Sequence, residues 1–350
     1  MVGFLDLAWE TRLEIYKLHY KSLVLPCIDK PNEKRKTPKP PRLALQRTCH
    51  QIKDEVKDLW PQLVHIEFES ARSMLDRLGL ISNVKRSLVR NVMVSVYPAK
   101  LAIKAKGGRK INEPFTLPQI LYLLPGLKLD VLTIDCRGVK ENAELQCRHC
   151  WQPILDCMLL NSQGWRELHL VVAQGTFGSG TSRIKRIDCL ELQQWQSKLA
   201  RRDGEASGAT VGAYSTVHPR SVPMGGRDID DEGLTMAYRD SIADQDRKRG
   251  TRASKKHLVI AFRRGEGVDY TAKWNENAFT RTCLPRIVGY EKVEDLTWKD
   301  LLEVEDKVLK ELGKREETSA KATAEASAEP PVIIARPKRR HYWWMQEGVL

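Results

Sequence analysis

The chain has 350 residues, 41% of them hydrophobic and 29% charged, which is typical of a globular protein with one large or two ordinary domains. No apolar run approaches the roughly 20 residues that a membrane-spanning helix needs. The first residues lack the basic region, apolar block and cleavage site of a secretory signal. Composition therefore argues against a membrane-embedded or secreted protein, and we expect an intracellular one, cytoplasmic, nuclear or both.

The formal net charge of +13 is unevenly distributed. Basic runs occur at 33–42, 83–110 and 246–256, and the second of these contains no acidic residue. Clusters of this kind favour anionic partners, since each cation placed on a phosphate releases counterions; solvated loops are the alternative reading. The candidate anion-binding residues are Lys100, Lys104, Lys106, Arg109 and Lys110.

The N-terminal residues alternate between helical and loop-forming patterns. Apolar side chains at Leu13, Tyr16 and Tyr20 predict an amphipathic helix over 9–22. A basic, proline-rich loop is expected over 26–42, followed by a helix over 43–59 that Trp60-Pro61 ends. The alternating stretch LVHIEFE then predicts a strand over 63–69.

Beyond residue 70 the pattern becomes a series of helix–strand units. The predicted helices lie at 70–83, 117–127, 147–162 and 186–202. The predicted strands lie at 88–96, 130–136, 166–173 and 255–264. Units of similar length predict an α+β or α/β fold with a curved, largely parallel sheet, in the manner of irregular leucine-rich repeats. An ordinary α/β layer remains the alternative.

Low-complexity segments interrupt and follow this series. Residues 204–254 are rich in Gly, Ser, Asp and Arg and predict a disordered insert. A charged helix is expected over 298–317, and residues 318–350 predict a disordered tail whose PKRRH resembles a nuclear signal. The expected organisation is 1–69 helical, 70–203 repeat-like, 204–254 insert, 255–317 completing the α/β domain and 318–350 tail.

The sequence contains no complete catalytic or metal-binding motif of a familiar kind. The stretch GTFGSGTS has the glycine spacing of a phosphate loop, but Thr181 stands where the loop needs lysine. Cys147 and Cys150 form a CxxC without a second pair, and with Cys157 they fit one helix face. HExxH and GxSxG motifs are also missing. We therefore expect a non-enzymatic protein with no cofactor and no metal, whose eight cysteines are free thiols.

Two blocks together resemble a known family. FLDLAWETRLEIYKL is similar to the opening of fungal F-box-like proteins, approximately FLDLPxEIRxxIYxxLL. LALQRTCHQIKDEVKDLWPQL is similar to their second block, near LxLLxTCRQIxxEaxxLLY. The matching residues are Phe4, Leu5, Asp6, Leu7, Glu10, Arg12, Ile15, Tyr16, Leu43, Leu45, Thr48, Cys49, Gln51, Ile52 and Glu55.

The resemblance implies an F-box-like helical start followed by helix–strand units. In F-box proteins the first element docks on the Skp-type adaptor of a cullin ubiquitin ligase, and the remainder recruits a protein substrate. The implied adaptor face is Leu5, Leu7, Leu13, Ile15, Tyr16 and Leu18. The chain departs from the general F-box pattern at Ala8, Thr11 and His19. The alternative function is a nuclear or chromatin-associated nucleic-acid or scaffold binder that uses residues 83–110.

Overall fold

A computed structural model describes most of the α/β region and its N-terminal helices. The described residues are 3–27, 43–95, 99–104, 110–136, 155–173, 189–215, 257–273, 298–307 and 310. The strands are β1 (Val24–Cys27), β2 (His65–Phe68), β3 (Asn91–Ser95), β4 (Ala99–Lys104), β5 (Lys110–Phe115), β6 (Leu129–Asp135), β7 (Trp165–Ala173), β8 (Thr210–Ser215) and β9 (His257–Arg263). The helices are α1 (Trp9–Lys21), α2 (His50–Val56), α3 (Trp60–Leu63), α4 (Ala71–Leu78), α5 (Asn83–Arg86), α6 (Leu117–Tyr122), α7 (155–160), α8 (Cys189–Asp203) and α9 (298–307).

Seven strands form one mostly parallel sheet, in the order β1-β2-β3-β6-β7-β9-β8. The first five are parallel, and within this group each strand pairs with the one that follows it along the chain. β9 then runs antiparallel to both β7 and β8. The mixed α/β fold with a largely parallel sheet is therefore confirmed. β4 and β5 form a separate antiparallel pair.

One face of the sheet lies against the helices and forms the main core. Parallel strands covered by helices are rich in branched apolar residues, and alternate positions of β6 and β7 supply them here. The core residues of these two strands include Leu132, Ile134, Leu168 and Leu170, each at most 3% exposed. The opposite face holds a smaller buried cluster of Met93, Val171 and Val259.

Local sequence signals explain where the helices over this core begin. Ser70 precedes α4, and its hydroxyl accepts a hydrogen bond from the Ser73 backbone N–H. Thr116 and Gln119 form a capping box at the start of α6, where Pro118 occupies the first turn. Both helices then bury apolar stripes in the main core, as their spacing predicts.

The N-terminal helices have a core of their own. Tyr16 and Tyr20 of α1 pack with Ile52, Val56 and Trp60 of the next two helices. This second cluster connects to the sheet through β1, which follows α1 directly and pairs with β2. The N-terminal helical unit therefore also contributes the first strand of the sheet.

Two N-terminal predictions need correction. The helix expected over 43–59 is divided into a 3-10 turn (Ala44–Arg47) and α2, with Cys49 extended between them. Pro61 lies in the first turn of α3 and so opens a helix there, because a first-turn residue needs no backbone N–H. Within the predicted loop, Pro26 lies in the edge strand β1, where proline is tolerated.

The predicted insert over 204–254 is partly ordered. β8 occupies Thr210–Ser215 and pairs with β9, so disorder was the wrong prediction for these residues. The remainder of that prediction, 216–254, lies outside the described residues, as does the 318–350 tail. Within the part of the chain that the structure describes, no helix has both the length and the apolarity to cross a bilayer.

The charged helix expected over 298–317 is described for 298–307 and packs against α4. Trp298 is buried, and its indole N–H donates to the Asp76 carboxylate at 3.0 Å. Arg72 pairs with Glu305 at 2.6 Å and lies 4.7 Å from the Trp298 ring centroid. These contacts hold the C-terminal helix against the first helix of the main core.

Candidate functional site

A buried ion pair connects α1 to α2. The Arg12 guanidinium donates to the Glu55 carboxylate through Nη2 at 2.7 Å and through Nε at 3.3 Å. The Tyr16 hydroxyl donates to the same carboxylate at 2.6 Å, and Gln51 Nε2 donates to it at 3.0 Å. Each of the four residues belongs to one of the two sequence blocks that match the F-box-like pattern. The structure therefore joins the two blocks at one carboxylate.

The electrostatics of this cluster follow from its hydrogen bonds. Donation from Arg12 lowers the pKa of Glu55 to about 2, and donation from Tyr16 and Gln51 acts in the same direction. Burial raises the pKa of Tyr16 to about 12, and its hydrogen bond to Glu55 adds to the rise. At neutral pH the cluster is thus a carboxylate held by a guanidinium and a neutral phenol.

Arg12 also fixes the segment that precedes α1. Its Nη1 donates to the backbone carbonyls of Leu5 and Leu7, at 3.2 and 2.5 Å. The Phe4–Asp6 segment is a 3-10 turn in which the Gly3 N–H donates to the Asp6 carboxylate at 2.7 Å. One buried arginine therefore holds the FLDL turn at a fixed position relative to α1 and α2.

Large apolar side chains of the same segment remain exposed. Ile15 and Leu18 lie three positions apart on α1, away from the buried stripe of Arg12, Tyr16 and Tyr20. The exposed apolar residues of this segment, between 39 and 70% exposed, are Leu5, Trp9, Ile15 and Leu18. Four such residues within fourteen positions mark a candidate protein-contact surface.

The implied adaptor face is thus only partly on the surface. Leu5, Ile15 and Leu18 are exposed, whereas Leu7 and Leu13 are partly buried. Tyr16 is fully buried in the second core, so its placement on an outer face has to be corrected. The apolar spacing of α1 alone is compatible with burial of either side of the helix. The hydrogen bond from Tyr16 to the Glu55 carboxylate places the Tyr16 side in the core.

Trp9 is an exposed residue that the sequence comparison overlooked. It occupies a variable position of the family pattern, so nothing in the pattern marked it. Its ring lies 6.4 Å from that of Tyr16 and 5.8 Å from the Arg12 guanidinium carbon, which orients an otherwise exposed indole. Tryptophan is enriched among the residues that dominate protein interfaces, and this preference is the one feature of the sequence that marks Trp9 as a candidate contact residue.

The predicted anion-binding residues fall on the β4–β5 hairpin. Lys100 and Lys104 lie on β4, and Lys110 opens β5 directly opposite Lys104. Lys106 and Arg109 lie outside the described residues. Solvated loops were one of the two readings of this tract, and the structure instead places three of its five candidate cations on a two-stranded ribbon.

Two histidines lie buried on the sheet, where packing was expected. His65 is on β2 and His169 on β7. Burial lowers the pKa of His65 to about 4, and the charge of His169 adds to this effect. The Glu167 carboxylate lies 3.4 Å from His169 Nε2 and 2.7 Å from Arg263 Nε.

The cysteine cluster considered for zinc is described only in part. Cys157 on α7 is partly buried, and burial raises the pKa of its thiol. Cys147, His149 and Cys150, like the GTFGSGTS loop, lie outside the described residues. Across the described ranges, no three His, Cys, Asp or Glu side chains are grouped as a metal site requires.

Comparisons with known proteins do not extend this description of the site. Scans of the chain against protein-family models, curated proteins and solved structures found no match.

Proposed function

We propose that the chain is a non-enzymatic, F-box-like interaction protein that docks on a Skp-type adaptor through its N-terminal unit. The observation that supports this proposal best is the junction of Arg12, Tyr16 and Glu55. These residues match two separate family blocks, and their network holds the FLDL turn against α1. This hydrogen-bonded framework explains why polar residues lie inside while Ile15 and Leu18 lie outside.

The surface that meets the adaptor comprises Leu5, Ile15 and Leu18, the exposed residues of the implied adaptor face. Trp9 lies beside Tyr16 and Arg12 on the other side of α1 and is not part of this docking face. Full burial of a Leu or Ile side chain contributes roughly 1.5–3 kcal/mol. Burying the exposed parts of these side chains contributes a few kcal/mol, so a stable complex with the adaptor also requires contacts from the residues around them. The α/β domain that follows would recruit the protein substrate.

The backbone before α1 accommodates the family's proline. Ala8 has φ −54° and ψ 147°, which lies within the range that a proline ring allows. Leu7 has φ −70° and ψ 149°, the extended geometry required of a residue before proline. Ala8→Pro therefore restores the family residue without backbone strain, and we expect it to strengthen adaptor binding severalfold by fixing the geometry of the first turn.

Binding of a purified Skp-type adaptor to the full chain tests the proposal. We expect binding that calorimetry detects, and at least a tenfold loss of affinity in the double variant Ile15→Asp plus Leu18→Asp. Val84→Asp is the matched control, because Val84 is 76% exposed on α5 and outside the docking face. Failure of the unmutated chain and of Ala8→Pro to bind the adaptor would overturn the proposal.

A further inference from the structure

The β4–β5 hairpin separates its residues into two chemically different faces. Alternate residues of a strand lie on opposite faces, and directly paired residues share one. The register of the two strands therefore places one set of residues together on the first face: Ala99, Leu101, Ile103, Ile111, Glu113 and Phe115. The second face carries Lys100, Ala102, Lys104, Lys110, Asn112 and Pro114.

The first face, which is apolar except for Glu113, is buried in the main core where β4 begins and β5 ends. Ala99 and Phe115 pair with each other, and both are buried in the main core, at 2 and 0% exposed. All three lysines lie on the opposite face, which has no acidic residue. The end of the ribbon at Lys104 and Lys110 is five residues from the Ala99–Phe115 pair, about 17 Å along an antiparallel strand.

The positions of the three lysines favour binding of an anion to this face of the ribbon. Like charges at directly opposed positions of an antiparallel pair disfavour pairing, and Lys104 and Lys110 occupy such positions. Lys100 follows on the same face, four residues and about 14 Å from Lys104. A polyanion such as a nucleic acid carries its phosphates over a length comparable to the spacing of these three positions.

We propose that the Lys100–Lys104–Lys110 face of this ribbon binds the phosphate backbone of double-stranded DNA. The major groove of B-form DNA, about 12 Å wide, admits a two-stranded β-ribbon. The deep, narrow major groove of duplex RNA does not. A membrane surface is the poorer fit, because the other residues of this face are Ala102, Asn112 and Pro114, none of them a large apolar anchor.

Fluorescence anisotropy with a labelled 20-base-pair DNA duplex and the full chain tests this proposal. The triple variant Lys100→Gln, Lys104→Gln and Lys110→Gln is compared with Lys21→Gln, Lys53→Gln and Lys57→Gln. The second set neutralises three exposed lysines outside the ribbon, so both variants carry the same net charge. Thermal melting by circular dichroism confirms that both variants are folded.

We expect the ribbon variant to bind DNA at least tenfold more weakly at 50 mM KCl, and the control to remain within about twofold. The slope of log Kobs against log [KCl] should fall by about 0.9 for each phosphate contact removed, hence by nearly 3 for the ribbon variant. Equal losses in the two variants would overturn the assignment to the ribbon. Lysine-dependent binding to duplex RNA, to phosphatidylserine vesicles or to poly-glutamate, without DNA binding, would overturn the assignment to DNA.

Discussion

Removal of the Glu55 carboxylate should destabilise the N-terminal unit more than any exposed charge does. Glu55→Ala deletes the acceptor of four hydrogen bonds and leaves the Arg12 guanidinium without its counter-ion. The side chains of the pair are only 11 and 14% exposed. Leaving a charged hydrogen-bonding group without its partner costs about 1–3 kcal/mol of unfolding free energy, and we expect a loss of about 2 kcal/mol for this partly buried pair.

Glu14→Ala is the matched control for this experiment. Glu14 pairs with Lys17 at 2.6 Å, a similar distance, but its side chain is 66% exposed, so we expect a loss below about 0.5 kcal/mol. Urea unfolding followed by tryptophan fluorescence gives both values from the transition midpoints. Equal losses in the two variants would refute the reasoning that burial makes the Glu55 pair important.

The same pair should make the unmutated protein sensitive to acid. Because the pKa of Glu55 is lowered from 4.5 to about 2, its contribution to stability is complete above pH 4.5. That contribution is lost as pH falls from 4.5 towards 2. Glu55→Ala should lack this component of the acid transition, and an unchanged acid profile would contradict the assignment.

Three further changes test the α/β domain. Burial lowers the pKa of His65 from 6.5 to about 4, so the free energy of unfolding should fall by about 3 kcal/mol as pH falls from 6.5 to 4. Urea unfolding midpoints of His65→Gln should depend less on pH over this range than those of the unmutated protein. Asp203→Asn should cost about 3 kcal/mol in urea unfolding, because the Asp203 side chain is fully buried and pairs with Arg264 at 2.7 Å. An equal effect of Asp156→Asn, at a pair that is about one-third exposed, would contradict this. Gly164 has φ +95°, a conformation that alanine adopts only with strain, so Gly164→Ala should lower the free energy of unfolding by about 2 kcal/mol and lower the melting temperature. An unchanged melting temperature would contradict this backbone conformation.

The strands at the centre of the sheet were predictable from sequence. β3, β6, β7 and β9 fall within a few residues of their predicted bounds, because buried strands read as short runs rich in Val, Ile and Leu. The edge strands β1 and β8 were missed. One contains a proline, and the other, TVGAYS, lies in a Gly- and Ser-rich stretch and pairs with residues more than forty positions later.

The candidate docking face was predictable only in outline. Periodicity predicts an amphipathic α1, but it ranks Ile15 and Leu18 with Tyr16 as residues to bury, whereas Ile15 and Leu18 are exposed. The deciding contact joins Arg12 to Glu55 across 43 positions, and no local pattern contains it. Arginine in a buried stripe contradicts the usual preference for exposure, so the inward side of the helix could not be read from composition.

The order of the strands also bears on how the chain folds during synthesis. From β1 to β7, each main-sheet strand pairs with the one made just before it, so the nascent sheet can grow by addition at one edge. β8 breaks this sequence, since its partner in the sheet is β9 and that strand is synthesised later. A nascent chain that ends soon after residue 215 therefore contains five main-sheet strands whose partners are already made. It also contains a sixth strand, β8, whose partner β9 has not yet been synthesised.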